Sequence, residues 1–173
     1  TETEMQINMN KIAVVTGGSG GIGRCTAASL KAAGCTVYEI SRRDIPSDGI
    51  IHMSADVTDE AQVRRVIDEI AAREGRIDIL VNNAGFGISG AAELTESRDS
   101  HAQLELNVFG TDNVTRAVLP HMRAQGGGRI VCMSSIAGIV PIPFQLWYSV
   151  SKAAIIAYVL ALQNEVRPFG ISV

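Results

Sequence analysis

The chain has 173 residues, of which 46% are hydrophobic and 19% charged, with a formal net charge of −3. That length supports one domain with a sizeable core, and the composition excludes a disordered chain. The acidic balance offers no basic field for a phosphate backbone, so nucleic acid is not an expected partner.

Residues 1–10 are polar and acidic, carry no apolar signal segment and read as an N-terminal extension. From residue 11 onward, short apolar bursts alternate with longer amphipathic stretches, the pattern of βαβ units and a parallel sheet. Residues 12–16 (IAVVT) are short, β-branched and followed by glycines, as a buried strand would be. A helix is expected over 22–33, stopped by Gly34, then strands over 36–41 and 50–53. The helix expected over 58–74 has Thr58 as its cap, acidic Asp59 and Glu60 in its first turn, and Val63, Ile67 and Ile70 on one face.

A fourth strand is expected over 77–81 and leads into Asn82-Asn83-Ala84-Gly85. One long helix over 97–125, a fifth strand over 130–134 and a second long helix over 145–166 follow. Residues 171–173 look like the opening of a sixth strand, so the chain reads as a piece cut from a longer protein. The longest unbroken apolar run, 153–162, has ten residues, too short to cross a bilayer. Cys25, Cys35 and Cys132 are odd in number and lack C-x-x-C spacing. That argues against a disulfide framework and a zinc site, and suits a reducing cytoplasm. His52, His101 and His121 show neither ligand spacing nor a partner and receive no role.

The first strand runs into Gly17-Gly18-Ser19-Gly20-Gly21-Ile22-Gly23 and then a helix. Glycines permit the tight turn and let the backbone approach a pyrophosphate, while the open helix end offers N–H groups and a positive dipole. No Gly-Lys-Ser/Thr follows, which excludes a Walker loop. At the end of the second strand, Ser41-Arg42-Arg43-Asp44 supplies two guanidiniums and a hydroxyl. These suit a ribose 2′-phosphate and favour NADP, with NAD as the other candidate. Glu39 or Asp44 holding the ribose, and arginines that merely face solvent, are the competing readings. Asp56, with Val57 beside it, is placed to meet the adenine edge; its structural alternative is an Asx turn.

Tyr148 and Lys152 stand four apart on one expected helix, hence on one face and about 6 Å apart along its axis. Ser135 precedes Tyr148 by thirteen residues, just past a buried strand, where open α/β sheets bind ligands. A free tyrosine ionises near pH 10, and a neighbouring ammonium favours the phenolate that acid/base work needs.

Thr16-Gly17-x-x-x-Gly21-x-Gly23, Asn82-Asn83-Ala84-Gly85, Asn107, Ser135 and Tyr148-x-x-x-Lys152 together resemble the short-chain dehydrogenase/reductase family. The resemblance implies an α/β fold: a Rossmann-type, doubly wound parallel sheet in three α/β/α layers, forming an NAD(P)-binding domain over 11–173. It also implies that the C-terminal part of the fold is missing beyond the start of the sixth strand. Tyr148 would be the acid/base at the substrate oxygen. Lys152 would bond the nicotinamide ribose and hold down the tyrosine pKa. Ser135 would polarise the substrate oxygen, and Asn107 would anchor a water leading from Lys152 to solvent. Gly17, Ser19, Gly21, Ile22, Gly23, Ser41, Arg42, Arg43, Asp56, Val57, Asn83, Ala84, Gly85, Tyr148 and Lys152 would bind the cofactor, and Asn82 would brace the sheet.

The implied activity is hydride transfer between NADP(H) and a carbonyl or secondary alcohol. The uncharged stretch 136–147 points to an apolar small-molecule substrate. The helix over 153–162 is apolar nearly all round, which requires burial on more than one side. The resemblance makes that helix and the long helix before it the interface of a homodimer or homotetramer; no membrane partner is expected. Two other readings stay open: a sugar-nucleotide epimerase or dehydratase, which shares Y-x-x-x-K, and a non-catalytic NADP-binding module.

Overall fold

In the computed structural model, residues 11–45 and 49–173 are described; the expected extension over 1–10 lies outside them. The elements are β1 (Ile12–Thr16), α1 (Gly21–Ala32), β2 (Thr36–Ser41), β3 (Ile51–Ser54), α2 (Glu60–Glu74) and β4 (Ile79–Asn82). They continue with α3 (Ser97–Leu104), a π-helical turn (Glu105–Phe109), α4 (Gly110–Ala124), β5 (Gly128–Cys132), α5 (Leu146–Val166) and β6 (Ile171–Ser172). The strands form one parallel sheet in the order β3-β2-β1-β4-β5-β6. The order reverses between β1 and β4, the position at which sheets of this kind hold ligands.

Strand alternation sorts the core into two layers. Ile12, Val14, Tyr38, Ile40, Leu80 and Ile130 pack with Val63, Ile67 and Ile70 of α2 and Val114, Val118 and Met122 of α4. Ala13, Val15, Val37 and Val81 face Ala27 and Leu30 of α1 on the opposite side. With helices on both faces of β1 and β2, this is the expected three-layer Rossmann-type arrangement, while Val131 of β5 stays exposed where α1 does not reach.

Several boundaries differ from expectation, each for a local reason. Asp59, not Thr58, caps α2: its carboxylate accepts from Gln62 N at 3.0 Å, while Thr58 donates its hydroxyl to Asp56 at 2.8 Å. The single helix expected over 97–125 is interrupted by the π-helical turn that holds Asn107. Thr111 and Thr115 then bond back to the carbonyls of Asn107 and Thr111 at 3.0 and 2.7 Å, a pattern that bends helices. Strand β5 sits two residues early because Cys132 pairs with Asn82, the last residue of β4, which leaves Met133, Ser134 and Ser135 as loop.

Helix α5 also departs from the sequence reading. The stretch Leu146–Phe169 is long and apolar enough in composition to cross a membrane, because Ser149, Ser151 and Lys152 interrupt the apolar run without interrupting the helix. Here those three pack inward with Ile155, Leu162 and Val166. Burial on every side is not reached within one chain, since Ala153, Ala157, Leu160 and Ala161 face outward. The histidines, expected to lack partners, each have one. His52 contacts Glu39, His121 Nε2 lies 2.8 Å from Asp68 Oδ1, and His101 Nδ1 lies 2.8 Å from Ser97 O.

Leu80, at the centre of β4, is fully buried in the larger layer. Leu80→Ala is expected to lower the unfolding free energy by about 2–5 kcal/mol, seen in urea denaturation as a lower midpoint with an unchanged slope.

Candidate active site

The carboxyl ends of β1 and β4 meet where the strand order reverses. Thr16 Oγ1 accepts from the backbone N–H groups of Asn83 and Ala84, both at 3.0 Å. Asn83 Nδ2 donates to Thr16 O at 3.1 Å. Asn83 therefore braces the strand ends as well as lining the cleft, beyond the cofactor contact expected of it. Asn82 Nδ2 donates to Thr115 Oγ1 at 2.9 Å and reaches Cys132 Sγ at 3.6 Å, tying β4 to α4 and β5.

The glycines divide by what surrounds them. Gly17 holds φ +67, and a Cβ there would stand 3.0 Å from Ala84 Cα. A Cβ on Gly23 would stand 2.3 Å from Gly17 O, so α1 docks on the loop only because Gly23 has no side chain. Gly20 and Gly21 instead open onto free space. Among the described residues no side chain caps α1, so its first N–H groups remain available to an anion. The residues present thus fit a dinucleotide pyrophosphate.

A cleft of about 490 Å³ runs from this loop to α5. At one end it is lined by Gly17, Ser19, Gly20, Gly21 and Ile22, and at the other by Tyr148 and Lys152, with Asn83, Ala84 and Gly85 between. An adjoining lobe of about 190 Å³ is lined by Ser41, Arg42, Arg43, Asp56 and Val57. Arg42 is exposed and lies 3.8 Å from Asp56, whose other oxygen accepts from Thr58 N at 3.0 Å in the anticipated Asx turn. Of the competing carboxylates, Glu39 is 2% exposed, lies beneath Gly18 and contacts His52, so it is not open to a ribose. Asp44 stands exposed beyond the residues that line either lobe.

Lys152 Nζ donates to Met133 O at 2.7 Å and sits 5.7 Å from the centre of the half-buried Tyr148 ring. Burial pulls the Lys152 pKa below the ordinary 10.5. Ser135 accepts from Ala137 N at 3.2 Å, capping a short 3₁₀ turn at Ile136–Gly138. Its neighbour Ser134 lines the cleft and donates to Lys152 O at 2.8 Å. Asn107 is 1% exposed; its side chain is committed to both backbone groups of Phe86 and to Ser151. Sequence reasoning missed Phe86, Gly87, Met133 and Ser134 as lining residues. The available signal was adjacency, since two follow the Asn-Asn-Ala-Gly segment directly and two precede Ser135.

The family model described as short chain dehydrogenase matches residues 11–173. A 3-ketodihydrosphingosine reductase of Bacteroides thetaiotaomicron is 43% identical over 164 residues, covering 94% of this chain and 61% of that protein. A 3-oxoacyl-(acyl-carrier-protein) reductase of Thermotoga maritima is 33% identical, covering 94% of this chain and 71% of that protein. Among solved structures, a short-chain dehydrogenase from Streptomyces avermitilis matches with a TM-score of 0.89 at 40% identity, over 94% of this chain and 63% of that one. A gluconate 5-dehydrogenase from Burkholderia cenocepacia, in complex with NADP and tartrate, matches with a TM-score of 0.89 at 32% identity, over 94% and 68%. The chain spans about three-fifths of the length of the first of these curated relatives.

The lowered Lys152 pKa has a pH signature. Between that value and 10.5 the unfolded chain binds more protons at this lysine than the folded one, so its contribution to stability rises with pH. Wild type should therefore gain stability relative to Lys152→Met across that window, as chemical denaturation at a series of pH values would show.

Proposed function

This chain belongs to the short-chain dehydrogenase family, and from that membership we propose that it interconverts a ketone and a secondary alcohol on an apolar substrate, using NADP(H). Membership makes it an oxidoreductase that binds a nicotinamide cofactor. The observation that carries the finer reading is a single cleft with the open glycine loop at one end and the Tyr148–Lys152 pair at the other.

When bound, the nicotinamide supplies or accepts the hydride. The chain's own groups handle the proton and the positioning. In the reducing direction the Tyr148 hydroxyl gives its proton to the substrate oxygen, and in the oxidising direction it takes one back. Lys152, fixed by the Met133 carbonyl, places a cation beside the phenolate that forms when the proton leaves. Ser135 orients the substrate oxygen from the loop end of β5. Ser41, Arg42 and Arg43, which line the adjoining lobe, would hold the ribose and its 2′-phosphate, and the burial of Glu39 removes a carboxylate that would repel that phosphate.

The apolar substrate is supported by the loop between Ser135 and Tyr148. Ile136, Ile139, Val140, Ile142 and Phe144 are all exposed there. Phe144 holds φ +63, a conformation costing a bulky residue about 1–3 kcal/mol, and its carbonyl accepts from Gly90 N at 2.8 Å. The 3-keto compound and the 3-oxoacyl group named for two of the relatives agree with a ketone. The outward face of α5 around Leu160 would be covered by a second copy in a homodimer or homotetramer.

Tyr148→Phe is expected to lower kcat for ketone reduction by at least about 100-fold while NADPH affinity is kept; unchanged turnover would remove the acid/base assignment. Titration should show NADPH binding more tightly than NADH, with Arg42→Ala erasing about tenfold of that preference. Equal affinities in the wild type would rule out the NADP reading.

A further inference from the structure

Gly87 lies against the Tyr148 ring. A Cβ added to Gly87 would stand 3.3 Å from Tyr148 Cδ2, 3.6 Å from Cε2 and 3.7 Å from Cγ, so the ring rests on bare backbone. The peptide that delivers Gly87 is held at every polar atom of Phe86. Phe86 N donates to Asn107 Oδ1 at 3.0 Å, and Phe86 O accepts from Asn107 Nδ2 at 2.9 Å and from Gln103 Nε2 at 3.0 Å. Both lone pairs of that carbonyl are used, which fixes the plane of the Phe86–Gly87 peptide.

Gln103 is unusual in this setting. It is 0% exposed, and its Oε1 has no partner among the described residues. An amide buried with one end unpaired is a destabilising choice that an apolar side chain of similar size avoids. Among the described residues, its side chain makes one hydrogen bond, to Phe86 O.

We propose that Gly87 is the seat of the Tyr148 ring and that Gln103 is a positioning residue that sets the height of this seat by fixing the Phe86 carbonyl. Gln103 touches no reacting atom; it acts through Phe86 and Gly87. Asn107 holds the same peptide from the π-helical turn, so the two amides of neighbouring turns jointly determine where the phenol stands. The consequence for turnover rests on the function proposed above; the placement of the ring does not.

The chain has three tyrosines, Tyr38, Tyr148 and Tyr158, which allows a direct reading. Protein grown with fluorotyrosine should give three fluorine NMR resonances, assigned by single Tyr→Phe variants. Gly87→Ala and Gln103→Leu should each displace the Tyr148 resonance and leave those of Tyr38 and Tyr158 in place; Gln103→Met is the second variant should the leucine fail to fold. A Tyr148 resonance that stays put in Gly87→Ala overturns the seat, and one that stays put in the folded Gln103 variant overturns the positioning role. In ketone reduction Gly87→Ala and the folded Gln103 variant should each lose about tenfold in kcat, and the Gln103 variant should keep its NADPH affinity. Parallel loss of NADPH affinity in the Gln103 variant, or an unchanged kcat in an active enzyme, counts against the proposal. A wild type that reduces no ketone defeats the functional reading, while the fluorine spectra still decide the seat.

Discussion

The site depends on one hydroxyl. Thr16 Oγ1 accepts two backbone N–H groups from the residues just past β4, and so closes the gap between the two strands where the sheet reverses its order. Each such bond contributes only about 1 kcal/mol net, but its geometric effect is larger than its energy. It holds Ala84 so near Gly17 that position 17 has no room for a side chain. Gly17 also makes a left-handed turn there, and Gly23 packs against its carbonyl at the start of α1. The phosphate loop, the cleft floor and the entry to α1 are one packed unit.

The opposite wall is set by desolvation. Lys152 is buried in a helix that is otherwise largely apolar, and the Met133 carbonyl is the polar group that compensates it. Burial disfavours the ammonium, and for that reason the charge that remains acts strongly on whatever stands beside it. Because β5 ends at Cys132, the Met133 carbonyl meets the lysine rather than a neighbouring strand. Strand register and the electrostatics of the cleft are therefore linked through a single peptide.

Beneath these contacts lies a layer of committed polar groups. Asn107, Gln103 and Ser151 surround the Phe86 peptide and the first turns of α5, and Glu39 and His52 meet under Gly18. Among the described residues, Glu39 Oε2, His52 Nε2, Asn82 Oδ1 and Gln103 Oε1 are buried without partners. Such atoms cost stability, and Gln103 bears that cost one layer behind Phe86, which lines the cleft. The Phe144 turn follows the same logic, since a strained backbone at the rim is held by the Gly90 contact.

The amino-acid sequence by itself determined the strands, the order of the motifs and the family. The run 12–15 is buried on both faces and so is apolar throughout, and the glycine loop and Tyr148-x-x-x-Lys152 carry fixed local spacings that survive in one dimension. The tertiary structure alone decided matters that depend on residues distant in the chain. The break at Asn107 reflects its bonds to Phe86, 21 positions away, and no local pattern announces it. The burial of Glu39 follows from the strand beside it, which supplies His52. Gly87 and Gln103 carry no motif at all; their place beside Tyr148 arises because parallel strands bring their carboxyl ends to one edge, where loops far apart in sequence must share the same few ångströms.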